Sequence, residues 1–131
     1  MIVDTSALVA ILLREPGYDR LTARLGEGPR PGIGAPTLLE TRMVLGGRMG
    51  PPGSTLLTRL IESSALEIVP YTSDHADAAF DAFLRFGKGR HPAALNFGDC
   101  MSYATARIAR EPLLCVGDDF AQTDLELVPL E

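Results

Sequence analysis

Short apolar runs alternate along the chain with longer stretches in which apolar residues recur every three or four positions. The short runs predict β-strands, and they cover residues 1–3, 32–35, 66–70, 113–116 and 125–130. The longer stretches predict helices, and they cover residues 6–13, 18–25, 36–49, 55–64, 75–87 and 98–110. Because helices separate the first four strands, the order predicts an α/β fold with a mainly parallel central sheet and helices on both faces.

Length and composition indicate the class of protein. The chain has 131 residues, of which 46% are hydrophobic and 22% are charged, a composition typical of a folded globular domain. We expect a single domain over residues 1–131, because this length fits one hydrophobic core. No apolar run reaches the roughly 18 residues that would span a bilayer, and the first residues lack a secretory pattern. The sequence therefore favours a cytoplasmic protein without membrane association.

The net charge of -5 disfavours a protein that coats nucleic acid through a broad basic face. The figure is ambiguous if several carboxylates converge on bound cations, because the cations cancel that charge locally. The two cysteines, Cys100 and Cys115, lie in apolar stretches without a zinc-binding pattern. We expect both to be buried thiols.

Acidic residues lie where predicted strands end and predicted helices begin. Asp4 and Asp118 each directly follow an apolar strand. Glu40 lies early in the helix after the second strand, and Asp99 opens a later helix. Strand ends and first helical turns meet at one rim of a parallel sheet, where ligands bind. The sequence thus predicts four carboxylates at one rim, which repel one another unless cations are bound.

A cluster of oxygen ligands without His or Cys suits Mg²⁺ or Mn²⁺. Cations of this kind activate water and neutralise charge during phosphodiester hydrolysis. Each acid also has a structural interpretation. Asp99 follows Asn96 by three positions, as a first-turn acid beside a helix cap does. Glu40 can be a solvated residue paired with an arginine, and Asp118 or Asp119 can be a turn residue. Which of those two points inward is open.

Four segments in order resemble PIN-domain ribonucleases, and within them the VapC toxins of bacterial toxin–antitoxin pairs. They are IVDTSAL at the N-terminus, PTLLET around Glu40, LNFGDCMSYATA around Asp99 and LLCVGDDFAQTDL around Asp118. The resemblance implies a three-layer α/β/α fold and a Mg²⁺-dependent endoribonuclease, with Mn²⁺ as an alternative metal. It also implies a cognate VapB-type antitoxin that binds over the active site, and it favours a homodimer.

The resemblance implies a role for each matching residue. Asp4 and Asp99 match the main metal ligands of the family. Glu40 and Asp118 match its third and fourth acids, and Asp119 is the alternative to Asp118. Residues that are expected to orient waters or neighbouring acids are Ser6, Thr123 and Asp124. By analogy with the family, RNA cleavage would leave a 3′-hydroxyl and a 5′-phosphate.

A basic loop precedes the helix that Asp99 opens. Its candidates for contact with RNA phosphates are Arg85, Lys88 and Arg90, although a basic loop is also typical of solvated surface. A phosphatase that uses two aspartates separated by one residue is disfavoured, because position 6 is a serine. The remaining alternative is a catalytically weak PIN-like module that acts through antitoxin binding and transcriptional autoregulation.

Overall fold

The computed structural model describes residues 1–131 and contains one four-stranded sheet. Its strands are β1 (Ile2–Val3), β2 (Gly32–Gly34), β3 (Glu67–Val69) and β4 (Leu113–Leu114). They lie in the order β3-β2-β1-β4, and every neighbouring pair is parallel. The predicted α/β class is confirmed, and β1 lies inside the sheet between β2 and β4.

Six α-helices and one 3₁₀ helix surround the sheet. They are α1 (Thr5–Leu12), α2 (Tyr18–Leu25), α3 (Ala35–Met49), α4 (Pro51–Ser64), α5 (Ser73–Phe86), α6 (Phe97–Ala109) and the 3₁₀ helix Phe120–Gln122. None of the helices combines the length and the apolarity that a membrane crossing requires.

Alternate residues of the strands divide the hydrophobic core into two halves. Val3 and Leu114 point to one face of the sheet, where helices α1 to α4 supply the other apolar side chains. Ile2 and Leu113 point to the opposite face and pack with residues of α5 and α6, among them Tyr103. The helices therefore form a layer on each side of the sheet, which confirms the three-layer α/β/α arrangement.

Helix α4 begins at Pro51, four residues earlier than predicted. Prolines occupy its first two positions, where the backbone N–H that proline lacks would have no hydrogen-bond partner within the helix. The chain therefore turns between α3 and α4 at a single residue, Gly50, which has a φ of 67°. The two helices α3 and α4 then approach closely. A Cβ on Gly53 would lie 2.8 Å from the carbonyl oxygen of Leu45.

The prediction of a strand at residues 125–130 is wrong. Only Leu127 forms a bridge, to Leu113 of β4, with one backbone hydrogen bond on either side of it. Pro129 follows shortly afterwards and has no N–H to extend the ladder. Of the two cysteines, Cys100 is a buried free thiol, as expected, and Cys115 is a half-buried one.

Candidate active site

Asp4 lies directly after β1 and caps α1. Its side chain accepts a hydrogen bond from Ser6 N at 3.0 Å, and the Ser6 hydroxyl donates to the same carboxylate oxygen at 2.6 Å. Ser102 Oγ donates to the other oxygen, also at 2.6 Å. Asp4 is only 4% exposed, so these three donors replace the water that a buried carboxylate loses.

Ser6 has a second contact, which involves the end of β4. Val116 N donates to Ser6 Oγ at 2.9 Å. The segment after β4 is thereby fixed against the first turn of α1. Ser6 thus contacts both an acid of the site and the strand end that precedes the fourth acid.

Glu40 lies in the second turn of α3, beside the start of α6. Thr5 Oγ1 donates to its Oε1 at 2.7 Å, so its partner is a hydroxyl and not an arginine. The carboxylate lies directly against Gly98, where an added Cβ would collide with it. A glycine at position 98 therefore makes room for Glu40.

Asp99 belongs to a helix cap and to the group of acids. Asn96 Oδ1 accepts from Asp99 N at 2.9 Å, and Asp99 Oδ2 accepts from Asn96 N at 3.1 Å, which forms a reciprocal capping box at the start of α6. Burial raises the pKa of Asp99 to about 6, although the Asn96 N–H acts to lower it. Neighbouring negative charges add to the rise, and they belong to Asp4, Asp119 and Glu40. Asp99 therefore caps α6 and also lies close enough to the other acids for their charges to affect its pKa.

The fourth acid belongs to a more exposed part of the rim. Asp118 and Asp119 are both exposed and follow Gly117, whose φ of 98° turns the chain after β4. Burial is the main cause of the raised pKa values of Asp99 and Cys115, and the charge of Asp119 adds to both. The charge of Asp119 therefore reaches Asp99, whereas neither Asp118 nor Asp119 lines the cleft that contains the other acids.

The other three acids line one open cleft of about 320 Å³ at the rim of the sheet. They share it with Glu15, with the hydroxyl groups of Thr5 and Ser6, and with three apolar side chains. Arg48, near the end of α3, is the only basic residue in its lining. With Glu15, the lining of the cleft therefore holds four carboxylates and a single positive charge.

The residues of the cleft fit a hydrated divalent cation. No three Asp, Glu, His or Cys side chains lie close enough to form a complete, preassembled metal site. Mg²⁺, however, keeps several waters and is usually held by one or two carboxylates. The acids of the cleft offer only oxygen ligands, and the added charge of a cation would relieve their mutual repulsion.

Comparison with known proteins identifies the family. The model of the PIN domain family matches residues 1–126. Ribonuclease VapC36 of Mycobacterium tuberculosis is 51% identical over 127 residues, which cover 96% of this chain and 91% of VapC36. Ribonuclease VapC of Mycolicibacterium smegmatis is 42% identical over 128 residues, which cover 98% of this chain and 99% of that protein. The chain belongs to the PIN-domain family of VapC ribonucleases.

Solved structures with low sequence identity share the VapC fold. VapC20 of Mycobacterium tuberculosis, described as a sarcin–ricin loop cleaving toxin, has a TM-score of 0.77 at 18% identity and covers 97% of both chains. VapBC2 from Rickettsia felis, solved with a DNA fragment from its promoter, has a TM-score of 0.74 at 15% identity and covers 97% of this chain and 96% of that one. At these identities the likeness concerns the fold alone.

The basic loop of this VapC-family chain is largely engaged within the protein. Arg85 donates to two carboxylates, at 3.3 Å and 2.9 Å. The Arg90 guanidinium lies over the ring of Phe83, 5.0 Å from its centre. Lys88 forms no salt bridge and lines a separate groove between α5 and α6. None of the three predicted RNA contacts lines the acidic cleft.

Thr123 and Asp124 contact other parts of the VapC fold. Tyr103 Oη donates to Asp124 Oδ1 at 2.6 Å, and Arg85 donates to its Oδ2 at 2.9 Å. Thr123 Oγ1 donates to the carbonyl oxygen of Phe120 at 2.7 Å. The contacts of Asp124 fasten the segment after the 3₁₀ helix to α5 and α6, whereas the contact of Thr123 lies within that segment. Neither side chain forms a hydrogen bond with Asp4, Glu40 or Asp99.

Sequence reasoning missed the hydroxyl groups around the acids and the arginine of the cleft. The missed residues are Thr5, Thr37, Thr41, Ser102 and Arg48, together with a further acid of the cleft, Glu15. One signal was present, because Ser102 follows Asp99 by three positions and therefore lies on the same side of α6. Thr37 and Thr41 are likewise one turn apart in α3 and flank the turn that carries Glu40.

Proposed function

We propose that this ribonuclease is a Mg²⁺-dependent endoribonuclease and the toxin of a type II toxin–antitoxin pair, with Mn²⁺ as an alternative metal. The observation that carries the proposal is the presence of Asp4, Glu40 and Asp99 in one cleft with only oxygen ligands. Relatives at 42–51% identity are named VapC ribonucleases, which supports the same chemistry here. The active unit is one domain over residues 1–131, acting in the cytoplasm.

The metal ligands in this proposal are Asp4, Glu40 and Asp99, completed by Asp119 or Asp118. When bound, a divalent cation supplies a more acidic water and neutralises charge on the phosphodiester. Ser6 and Ser102 hold Asp4, and Thr5 holds one oxygen of Glu40. The capping box uses one carboxylate oxygen of Asp99, Oδ2, and leaves Oδ1 free of it. The chain thus presents partly fixed carboxylates with free lone pairs toward the cleft.

RNA is the substrate in this proposal, because the homologous proteins are ribonucleases. Arg48 lies in the lining of the cleft, where its fork of N–H donors suits a phosphate. The more distant Lys88 and Arg90 can contact the phosphates of an RNA that extends beyond the cleft. A chain with a net charge of -5 needs such local positive groups to bind RNA.

A VapB-type antitoxin is the proposed protein partner. A toxin–antitoxin complex from Klebsiella pneumoniae has the same fold, with a TM-score of 0.71 at 19% identity. We also propose a homodimer, which is supported by an apolar groove of about 670 Å³ between α5 and α6. Phe80 and Phe97, which line it, are 62% and 81% exposed, and exposed aromatic surface of this kind is typical of a protein interface.

Cleavage of a panel of structured RNAs tests the proposed chemistry. We expect cleavage with Mg²⁺, none with EDTA, and a loss of at least about a hundredfold in Asp4→Asn and Asp99→Asn. The matched control is Asp77→Asn, which removes an exposed carboxylate of α5 that has no salt bridge and should cleave like the wild type. Cleavage that survives EDTA and both site substitutions would exclude the metal site. An inactive wild type that binds its antitoxin would favour the interaction module.

A further inference from the structure

Helix α3 buries two threonines on the face that it turns to the acids. Thr37 is 1% exposed and Thr41 is fully buried. They lie on either side of Glu40 in the sequence, one helical turn apart. A hydroxyl in such a place must find a hydrogen-bond partner, and no buried side-chain nitrogen or oxygen in the protein lacks one.

The first partner leads to Asp4. Thr37 Oγ1 lies 3.3 Å from Ser102 Oγ, and Ser102 Oγ lies 2.6 Å from Asp4 Oδ1. An ionised carboxylate only accepts, so the single proton of Ser102 is directed to Asp4. Thr37 is therefore the donor in its contact with Ser102. The hydroxyls form an ordered chain from α3 through α6 to Asp4.

A second chain leads to Glu40. Thr41 Oγ1 lies 3.0 Å from Thr5 Oγ1 and 2.8 Å from the carbonyl oxygen of Thr37. Thr5 Oγ1 is 2.7 Å from Glu40 Oε1, so the proton of Thr5 is directed to the carboxylate. The single proton of Thr41 has two acceptors, and its shorter contact is to the Thr37 carbonyl oxygen. The direct donor to Glu40 is therefore Thr5, and the chain from Thr37 through Ser102 to Asp4 is the better defined of the two.

We propose that Ser102 is a positioning residue that fixes the Asp4 carboxylate for metal binding, with Thr37 orienting Ser102 from behind. The inference rests on the proposed metal-dependent function. Ser6 binds one oxygen of Asp4, and Ser102 binds the other, so the carboxylate cannot rotate without breaking a hydrogen bond. Without Ser102, Oδ1 loses its one protein donor in a residue that is only 4% exposed, and the group turns to find another. Partners behind a metal ligand commonly set its affinity in this way.

The test compares two buried hydroxyls of α6. Ser102→Ala removes the donor to Asp4. Thr105→Ala is the matched control, because Thr105 is 1% exposed and donates only to the carbonyl oxygen of Met101. The control removes a buried hydroxyl and a methyl group from the same helix, so it also lowers stability. Thermal unfolding measures the loss in each variant, and metal binding is compared where both variants are folded.

The first readout is the dissociation constant of Mn²⁺, measured by calorimetry on the full chain. We expect Ser102→Ala to bind Mn²⁺ about tenfold more weakly than the wild type, and Thr105→Ala to bind it like the wild type. Equal affinity of Ser102→Ala and the wild type would overturn the positioning role. An equal loss in both variants would overturn it too, because stability alone would then account for the change.

The second readout needs no metal and separates this inference from the proposed function. Crystal structures of the metal-free wild type and of Ser102→Ala show whether the Asp4 carboxylate changes its rotamer. A rotated carboxylate in the variant supports the positioning role, and an unchanged one overturns it. A wild type that binds no Mn²⁺ refutes the proposed metal site, whereas the crystal structures still decide the role of Ser102.

Discussion

The position of the Glu40 carboxylate depends on how closely the backbone of α6 approaches it. The α6 backbone at Gly98 touches the Glu40 carboxylate, so no side chain at position 98 fits beside it. The capping box of Asn96 and Asp99 holds that first turn in place. A larger residue at position 98 must therefore move Glu40, because the backbone is held by its cap.

Gly98→Ala should disable the site with little loss of stability. The added Cβ displaces the flexible Glu40 side chain, and a misplacement of about 1 Å can lower a reaction rate by about a hundredfold. RNA cleavage under single-turnover conditions and thermal unfolding measure the two effects. The matched control is Gly47→Ala, where an added Cβ meets nothing within 4 Å and helix α3 should gain up to about 1 kcal/mol. Wild-type cleavage by Gly98→Ala would contradict this account of the site.

Carboxylates at strand ends were predictable from the sequence, and their supporting hydroxyls were not. Asp4 directly follows an apolar run, and the rule for parallel sheets places such a residue at the rim. Ser102 lies 98 positions away from it, and only the packing of α6 on the sheet joins the two. The choice between Asp118 and Asp119 likewise depends on the turn at Gly117, which sequence patterns do not resolve.

Among the elements of the fold, α3 and α4 are joined by close backbone contact. Gly53 faces the carbonyl oxygen of Leu45. A Cβ at position 53 would lie closer to that oxygen than Cβ atoms normally come to any other atom. Prolines explain two places where the elements differ from the sequence predictions. The sequence predicts a break at Pro51 and Pro52, although prolines suit the first turn of a helix. It also predicts a strand at residues 125–130, although Pro129 has no N–H with which to extend the pairing.

Gly53→Ala should lower stability without touching the active cleft. The contact with Leu45 is to backbone, so the two helices must separate slightly, at a cost of about 1–3 kcal/mol. Urea denaturation measures the change in the free energy of unfolding. Gly46→Ala in α3 is the control, because nothing lies within 4 Å of its added Cβ. Equal stability of the two variants would mean that the helices do not pack this closely in solution.

The segment after the 3₁₀ helix is held by Asp124. Partial burial raises the pKa of Asp124, but hydrogen bonds from Tyr103 and Arg85, with the charges of Arg85 and Arg107, outweigh it and lower the pKa below the usual 3.8. A lowered pKa means that the ionised form stabilises the fold. That stability is present above pH 3.8 and is lost as the pH falls through the lowered value.

Asp124→Asn should therefore destabilise the protein at pH 7 by about 1 kcal/mol, a figure that allows for solvent screening. The difference from the wild type should disappear in strong acid, where Asp124 itself is protonated. Thermal unfolding between pH 7 and pH 2 measures both effects. RNA cleavage should persist, because Asp124 contacts none of the cleft acids, and its abolition in a folded variant would restore an orienting role for this residue.

At the scale of the whole molecule, acidic and apolar surfaces occupy different places. The acidic cleft lies at the rim of the sheet, and the apolar groove lies between α5 and α6. Asn96 and Phe97 line the groove, and Asp99 in the same helical turn lines the cleft. A second copy seated in the groove would therefore lie next to the start of α6.

Phe80→Ser should convert the proposed homodimer into a monomer. Phe80 is 62% exposed in the groove, and its removal deletes apolar area that the second copy would bury. Sedimentation velocity over a range of concentrations measures the change. Met43→Ser is the control, because Met43 is 68% exposed on α3, outside the groove, and its loss should leave the dimer intact. A wild type that stays monomeric at all concentrations would contradict the homodimer.

The hydroxyl chain from Thr37 through Ser102 connects Asp4 to the helix that carries Glu40. Thr37 and Glu40 belong to that one helix, so a shift of α3 would disturb Asp4 and Glu40 together. The same helix exposes Leu39 and Met43 to solvent on its outer side. Displacement of α3 would therefore move the carboxylates of Asp4 and Glu40 out of place at the same time, and not one after the other.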